Sequence, residues 1–273
     1  MKNGILIYSA ADAERNQWFI QHLTECAESE RMVLRLCIAE QTNLSDFTEM
    51  QPDFAVNRSR YAKFSAHCED VLHIPVFNSR AVTEITNDKY TTFQFLHEKH
   101  GIPMANTFRI TNGDMLPELP VPVIAKPADG HGGKGVTLLK SMRELTDYAK
   151  NAPRPFLMQE PMVFGWDVRL YVMGGKVCAA VLRTSDTDFR SNFSLGGHAA
   201  LITPDAEMLA LVQQVQQILP LDFAGIDLLR HPGGGYVIGE IEDAVGCRML
   251  YSLTDLDPAA DYIRHIRNRL QIK

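Results

Sequence analysis

The chain has 273 residues, a formal net charge of −6, 45% hydrophobic and 22% charged residues. This is the balance of a folded enzyme-sized protein with ample core. It excludes a disordered chain, and with no basic block it argues against nucleic acid as the principal ligand. No run approaches the roughly 20 apolar residues of a membrane span. The five cysteines, Cys26, Cys37, Cys68, Cys178 and Cys247, are odd in number, scattered and without a CxxC pair. That pattern fits neither a disulfide framework nor a zinc site, and leads to the expectation of a reducing cytoplasm. The opening MKNGILIYSA carries one lysine and a short apolar run before acidic sequence, which reads as a first strand and not a signal peptide.

In chain order, residues 5–8 are expected as a strand, 12–31 as a helix with a stripe of Trp18, Phe19, Leu23 and Cys26, and 33–38 as the next strand. Residues 54–56 read as a short strand, 61–71 as a helix and 75–77 as a strand end. The result is a small α/β lobe. Its first strand is not followed by a glycine-rich turn, so no nucleotide is assigned to it. Asn87 starts a helix that Gly101 caps. Lys89 falls in its first turn, where a cation opposes the helix dipole, so it either reaches water or is compensated by an anion. His97 and His100 lack the i, i+4 spacing of a zincin helix.

Residues 121–140 read as a strand ending at Lys126, a glycine loop, and a second strand over 136–139. Gly130, Gly132 and Gly135 match GxGxxG, but a strand follows the last glycine where the dinucleotide fingerprint needs a helix. A kinase loop fails as well, because the lysine precedes the loop. Two readings stay open: a hairpin loop whose N–H groups close over phosphates beside Lys126, or a plain glycine turn. A helix over 142–151 and an apolar strand over 156–162 follow. That strand holds Gln159 and Glu160, a polar pair able to meet an adenine edge largely through backbone groups. A hairpin spans 168–173 and 177–183. The polar loop after it, with Asp188 to Asn192 and Gly196 to His198, offers Arg183 and Arg190 as anion binders or as surface arginines. Thr203 is read as the cap of a helix with Pro204 at its first position and a core stripe of Met208, Leu211, Val212, Val215 and Leu219.

Residues 224–229 and 236–241 are two strands joined by the His231 to Gly235 turn. Glu240 and Glu242 share a face, and Asp227 can join them across the hairpin. Hard carboxylate oxygens suit Mg²⁺ or Mn²⁺ carrying a nucleotide phosphate. A solvated strand face with three acids fits the same residues. Asp257 and Pro258 start a terminal helix bearing Tyr262, Ile263, Ile266 and Leu270.

The order of these motifs resembles the ATP-grasp superfamily, and most closely the RimK-type carboxylate-amine ligases: a lysine at a helix start, a strand lysine before a glycine loop, a Gln-Glu strand, Asp-x-Arg, DFRSN, AGIDLLR and Glu-x-acid. The resemblance runs from about residue 87 to the C-terminus. It implies an α/β fold with an N-terminal pre-ATP-grasp domain over 1–80. An ATP-grasp domain would follow over 81–273, split into a glycine-loop lobe of about 87–162 and a metal-binding lobe of about 163–273. It further implies ATP and Mg²⁺ or Mn²⁺ as cofactors. Lys89, Lys126, Gly132 and Gly133 would lie on the phosphates, Gln159, Glu160, Pro161 and Met162 on the adenine, and Asp167 on the ribose. Arg190, Ser191 and Asn192 would lie on the γ-phosphate and acyl phosphate, with Arg190, Lys126 and Asn192 catalytic. Asp227, Glu240 and Glu242 would hold metal. The family usually shows Glu-x-Asn then Ser-Pro-Gly, whereas this chain has Glu240-Ile241-Glu242-Asp243-Ala244-Val245-Gly246, which leaves the substrate open. The expected activity joins a carboxylate to an amine of small molecules or peptides, with phosphorylation of another substrate class or a non-catalytic nucleotide sensor as alternatives. Homo-oligomerisation is left open.

Overall fold

The computed structural model describes residues 1–111, 114–117, 120–128, 135–153, 155–185 and 197–272. Strand β1 (Lys2–Tyr8) pairs in parallel with β2 (Met32–Ile38) and β3 (Phe54–Asn57), and β4 (Val76–Phe77) adds to β3, in the order β2-β1-β3-β4. Ile5, Leu6 and Ile7 are all buried, as a parallel strand covered on both faces requires. The expected first helix is two: α1 (Ala10–Arg15), capped by Ser9, and α2 (Gln17–Ser29). The break falls at Asn16, whose side chain donates to the Asp12 carbonyl at 2.7 Å. Restarting at Gln17 rephases the stripe, so Phe19, Ile20, Leu23 and Ala27 are buried while Trp18 turns out at 60% exposure.

Helix α3 (Leu44–Met50) follows β2, and α4 (Ala62–Ala66) widens into π-type turns over His67–Val71. Helix α5 (Arg80–Thr86) was not anticipated; it precedes α6 (Lys89–Phe93), which continues in π-type turns to Lys99. Asp88 caps α6, accepting from the Tyr90 and Thr91 N–H groups at 3.0 and 2.8 Å. Its negative charge lies next to Lys89.

The second sheet has the order β5-β8-β6-β7 and is antiparallel throughout. Its strands are β5 (Thr107–Ile110), β6 (Val123–Pro127), β7 (Thr137–Leu139) and β8 (Phe156–Gln159), backed by α7 (Met142–Asn151). The short β5 has no strong sequence signal; it is recruited by β8, where Thr107 stands opposite Gln159.

The third sheet, order β11-β10-β9-β12-β13, is also antiparallel. It contains β9 (Trp166–Met173), β10 (Lys176–Thr184), β11 (His198–Ile202), β12 (Phe223–Arg230) and β13 (Tyr236–Glu242). One face, with Val168, Leu170, Val172, Ile226 and Leu228, packs on α8 (Ala206–Ile218) through Met208, Leu211, Val212 and Val215. The cap of α8 is Asp205 and not Thr203, because the Asp205 carboxylate reaches the Met208 N–H at 2.9 Å and Pro204 stays outside the helix. Helices α9 (Arg248–Leu253) and α10 (Pro258–Arg269) complete the chain, the latter capped by Asp257 with Pro258 in its first turn as expected.

The opposite face is divided along the strands. At one end Tyr171, Val181 and Phe223 join β1, α2 and α10 in a core shared with the first sheet. At the other end the same face carries Asp167, Arg169, Arg183, Asp227, Glu240 and Glu242. Buried Asn78 fastens the first sheet to the third: its amide donates to the Phe223 and Asp243 carbonyls at 2.8 and 2.9 Å, and its oxygen accepts from the N–H of Asp222 and Phe223.

Candidate functional site

Side-chain alternation places Asp167 and Arg169 on one face of β9, Arg183 on β10, Asp227 on β12, and Glu240 and Glu242 on β13, with Asp227 directly opposite Glu240 in register. Arg169 donates to both Asp227 oxygens at 2.7 Å and to Glu242 Oε1 at 2.8 Å. Arg183 donates to Asp227 Oδ2 at 2.8 Å and to Asp167. Lys89 Nζ lies 3.1 Å from Glu240 Oε1. Burial raises the cost of ionising Asp227, but the two guanidiniums overcome it and hold the carboxyl well below the usual range. Glu242 moves the other way: burial pushes its carboxyl up, because Arg169 is shared and Asp227 and Glu240 add repulsion.

Lys126 sits near the end of β6. Burial pushes its ammonium down to about 8, against the pull of Glu240 and with the repulsion of Lys89. It donates to Gln159 Oε1 at 2.9 Å, and the Gln159 amide donates to Thr107 Oγ1 at 2.8 Å. The Gln159 side chain is therefore a positioning group that steers Lys126, a role sequence reading missed because Thr107 is 52 residues away. Glu160 accepts from the Asn106 side chain at 2.7 Å, its N–H donates to the Asn106 carbonyl at 3.0 Å, and Met162 packs on Ala105 and Val237. Asp167 is 4% exposed and bound to Arg183. This carboxylate orients Arg183 in the structure.

The sequence model of the RimK-like ATP-grasp domain matches residues 86–266. The chain belongs to this family. Human N-acetylaspartylglutamate synthase A is 36% identical over 192 residues, covering 64% of this chain and 48% of that protein. The chain thus spans about half the length of that relative. The D-alanine–D-alanine ligase of Bacillus anthracis complexed with ATP superposes with a TM-score of 0.75 at 14% identity, covering 100% of this chain and 98% of the other. The ATP-grasp ligase PsnB, complexed with a minimal precursor, Mg and ADP, gives 0.70 at 16% identity, covering 97% and 96%. These superpositions establish the ATP-grasp fold.

Within the ATP-grasp frame, Gly132, Gly133, Arg190, Ser191 and Asn192 lie outside the described residues. Asp227, Glu240 and Glu242 do not close into one cluster. Among the described residues, only His22, Cys26 and Asp257 offer three ligand atoms within 4.8 Å of one another. The cause is visible: Lys89 draws Glu240 to itself while the arginines hold Asp227. Oxygens for a hard cation remain, because Glu240 Oε2 and Glu242 Oε2 accept no hydrogen bond from the described residues and Asp227 Oδ1 accepts one. Acidic oxygens that keep free lone pairs beside an incoming polyphosphate fit Mg²⁺. Among the described residues, no helix is long and apolar enough to cross a membrane.

Proposed function

We propose that the chain is an ATP-dependent ligase that joins a carboxylate to an amine through an acyl phosphate. The carrying observation is the convergence of Lys89, Lys126 and the Asp227, Glu240 and Glu242 carboxylates at one end of the third sheet, in a chain of the RimK-like family. In this reading residues 1–80 are the pre-ATP-grasp domain and 81–273 the ATP-grasp domain. Adenine lies along the backbone of Glu160, Pro161 and Met162, and Arg190, Ser191 and Asn192 face the γ-phosphate.

The substrate carboxylate attacks the γ-phosphorus, the bond to the β-phosphate oxygen breaks, and ADP leaves. An amine then attacks the acyl carbon, phosphate departs, and the nitrogen loses a proton. Asp227, Glu240 and Glu242 would hold Mg²⁺, which would supply charge stabilisation at the transferring phosphoryl group. Lys126, aimed by Gln159, donates to the phosphates. Lys89 leaves Glu240 for phosphate oxygens when nucleotide arrives, which releases Glu240 as a ligand. The similarity to an N-acetylaspartylglutamate synthase makes glutamate a natural amine donor to screen. ADP release that depends on an added carboxylate, with the product identified by mass, tests this reading; ATP turnover indifferent to every carboxylate and amine sinks it.

Lys126 gives a pH prediction. Its ammonium is neutralised above about 8 in the free protein, and phosphates favour the charged form. MgATP affinity is therefore expected to be full below pH 8 and to weaken as pH rises through 8. Lys126→Ala should cost about 2–3 kcal/mol of MgATP binding, the scale of a charged hydrogen bond. Calorimetry from pH 6.5 to 9.5 checks both; a Lys126→Ala protein that keeps wild-type affinity and pH profile removes Lys126 from the phosphate site.

A further inference from the structure

His22 and Cys26 are four residues apart on α2 and so share one face of that helix. Helices α2 and α10 pack in the same core, and Asp257, the N-cap of α10, meets the pair although it lies 235 residues after His22. His22 Nε2 stands 2.8 Å from Asp257 Oδ2 and 3.8 Å from Cys26 Sγ, and the three donor atoms lie within 4.8 Å of one another. Tetrahedral zinc, with bonds of about 2.0–2.3 Å, holds a nitrogen and an oxygen about 3.4 Å apart and a nitrogen and a sulfur about 3.6 Å apart. The two separations from His22 Nε2 are within about 0.6 Å of those values. No CxxC spacing announces such a group in the sequence, because the fold supplies its third donor.

Each donor is held by partners of its own, as metal ligands are. Asp257 Oδ1 accepts from the Tyr251 hydroxyl at 3.0 Å and from the N–H groups of Ala259 and Ala260 at 3.2 Å each, which fixes the carboxylate and leaves Oδ2 turned to His22. Trp18 stacks on the imidazole with 5.2 Å between centroids, and Tyr251 meets it edge-on at 6.4 Å, so the plane of the ring is set. On the other side of the ring, Glu25 Oε2 lies 4.0 Å from Nδ1. A carboxylate there favours a proton on Nδ1, which leaves the Nε2 lone pair for an ion in place of the proton that now joins Nε2 to Asp257. The side chains of His22 and Asp257 are 28% and 40% exposed, so an ion reaches them from solvent.

We propose that His22, Cys26 and Asp257 bind one zinc ion, with water in the fourth position, and that the ion clamps α2 to the start of α10. A thiolate and an imidazole select a borderline-soft cation over Mg²⁺, so this site differs in chemistry from the all-oxygen acids of the third sheet. Thiolate and carboxylate together carry two negative charges, which balance a divalent ion, and the thiol gives up its proton to solvent on binding. His22 and Cys26 lie outside the stretch matched by the RimK-like model, so the site belongs to this chain and not to that domain. Its ligands come together only in the folded chain, so the ion stabilises the fold.

The test uses the chain freed of metal with a chelator and needs neither nucleotide nor turnover, so it stands or falls apart from the ligase reading. Titration with Co²⁺ should give thiolate-to-cobalt charge-transfer absorption in the near ultraviolet that saturates at one ion per chain, is displaced by Zn²⁺ and is indifferent to excess Mg²⁺. Cys26→Ser should abolish the band, and Cys178→Ser, at an exposed cysteine elsewhere, should keep it. His22→Gln and Asp257→Asn, the second chosen because asparagine still caps a helix, should each weaken Zn²⁺ binding by about 100-fold or more, with circular dichroism confirming the fold. Tyr251→Phe, which touches only the outer oxygen of Asp257, should weaken it by about tenfold. Zn²⁺ should raise the thermal midpoint of the wild-type protein and leave that of Cys26→Ser in place. A plain His22–Asp257 hydrogen bond beside a bystander thiol makes the opposite claim. No charge-transfer band, a band that survives Cys26→Ser, or Zn²⁺ affinity unchanged in the folded His22→Gln and Asp257→Asn proteins overturns the proposal.

Discussion

Glu240→Ala is expected to lower carboxylate-dependent ATP turnover by about 10²–10³-fold, the scale on which removal of one group that stabilises transition-state charge is felt. Glu240 has two tasks in this geometry. In the structure it holds Lys89 at 3.1 Å, and in the proposed mechanism it would offer both oxygens to metal once Lys89 had moved to phosphate. Glu242→Asn should retain turnover, because an amide oxygen also ligates Mg²⁺ and because the carboxyl it replaces is already pushed up by burial. Glu242→Ala should instead shift the Mg²⁺ requirement to much higher concentration. ATP turnover titrated against Mg²⁺, with circular dichroism to confirm folding, decides the matter. Folded Glu240→Ala and Glu242→Ala proteins that follow the wild-type curve would rule out a metal role for these acids and the mechanism built on it.

The second large effect is on stability. Arg169→Met should destabilise the fold by about 3–5 kcal/mol, since removing one partner of a buried pair leaves charge uncompensated. Arg169 is 7% exposed and serves Asp227 and Glu242 at once, so its loss strands two carboxylates among which only Arg183 remains. Lysine in its place should not rescue, because a point charge cannot make the paired Nε and Nη2 contacts to Asp227. The pH dependence follows from the sign of each shift. Asp227 titrates below its unfolded value, so its contribution is present above about pH 4 and is lost as pH falls toward its folded value. Glu242 titrates above its unfolded value, so its contribution is greatest at low pH and declines as pH rises through the folded value. Arg169→Met should flatten the acid limb that Asp227 supplies. Urea unfolding from pH 3 to 7 measures this; a loss below about 1 kcal/mol at pH 7 contradicts the account.

The alternation of strand side chains was legible in the sequence and led directly to the shared face of Glu240 and Glu242 and to Asp227 across the hairpin. The glycine loop was separable from a dinucleotide fingerprint because Val136 and its neighbours read as strand, and Thr137–Leu139 is one. The lateral partners were not legible. Arg169 meets Asp227 across 58 residues and Arg183 meets it across 44, pairings set by the order in which β10, β9 and β12 assemble. That is why the acids read as a free ligand set while in the fold each is paired with a cation, Glu242 sharing Arg169 with Asp227. The Asn16 break and the Asp205 cap failed for a different reason, since both depend on which of two neighbouring polar side chains reaches a backbone group first. The spacing of His22 and Cys26 carries no metal signal by itself: its meaning comes from Asp257, contributed by the start of α10.

The pairing of Asn106 with Glu160 has a mechanical side. The chain enters the second sheet just after Asn106 and leaves it at Glu160, and these two residues are bonded to each other through both backbone and side chain. The apolar contact at this junction comprises Ala105, Met162, Val237 and the partly buried Leu229, while the core of the sheet and its helix is separate. A part with its own core can turn about such a junction without opening the other cores. In the proposed reading a base seated along Glu160 to Met162 would lie at this junction, with Lys126 beside it through its bond to Gln159. Nucleotide in the proposed position would bear on this junction and, through Gln159, on where Lys126 stands relative to the acids of the third sheet.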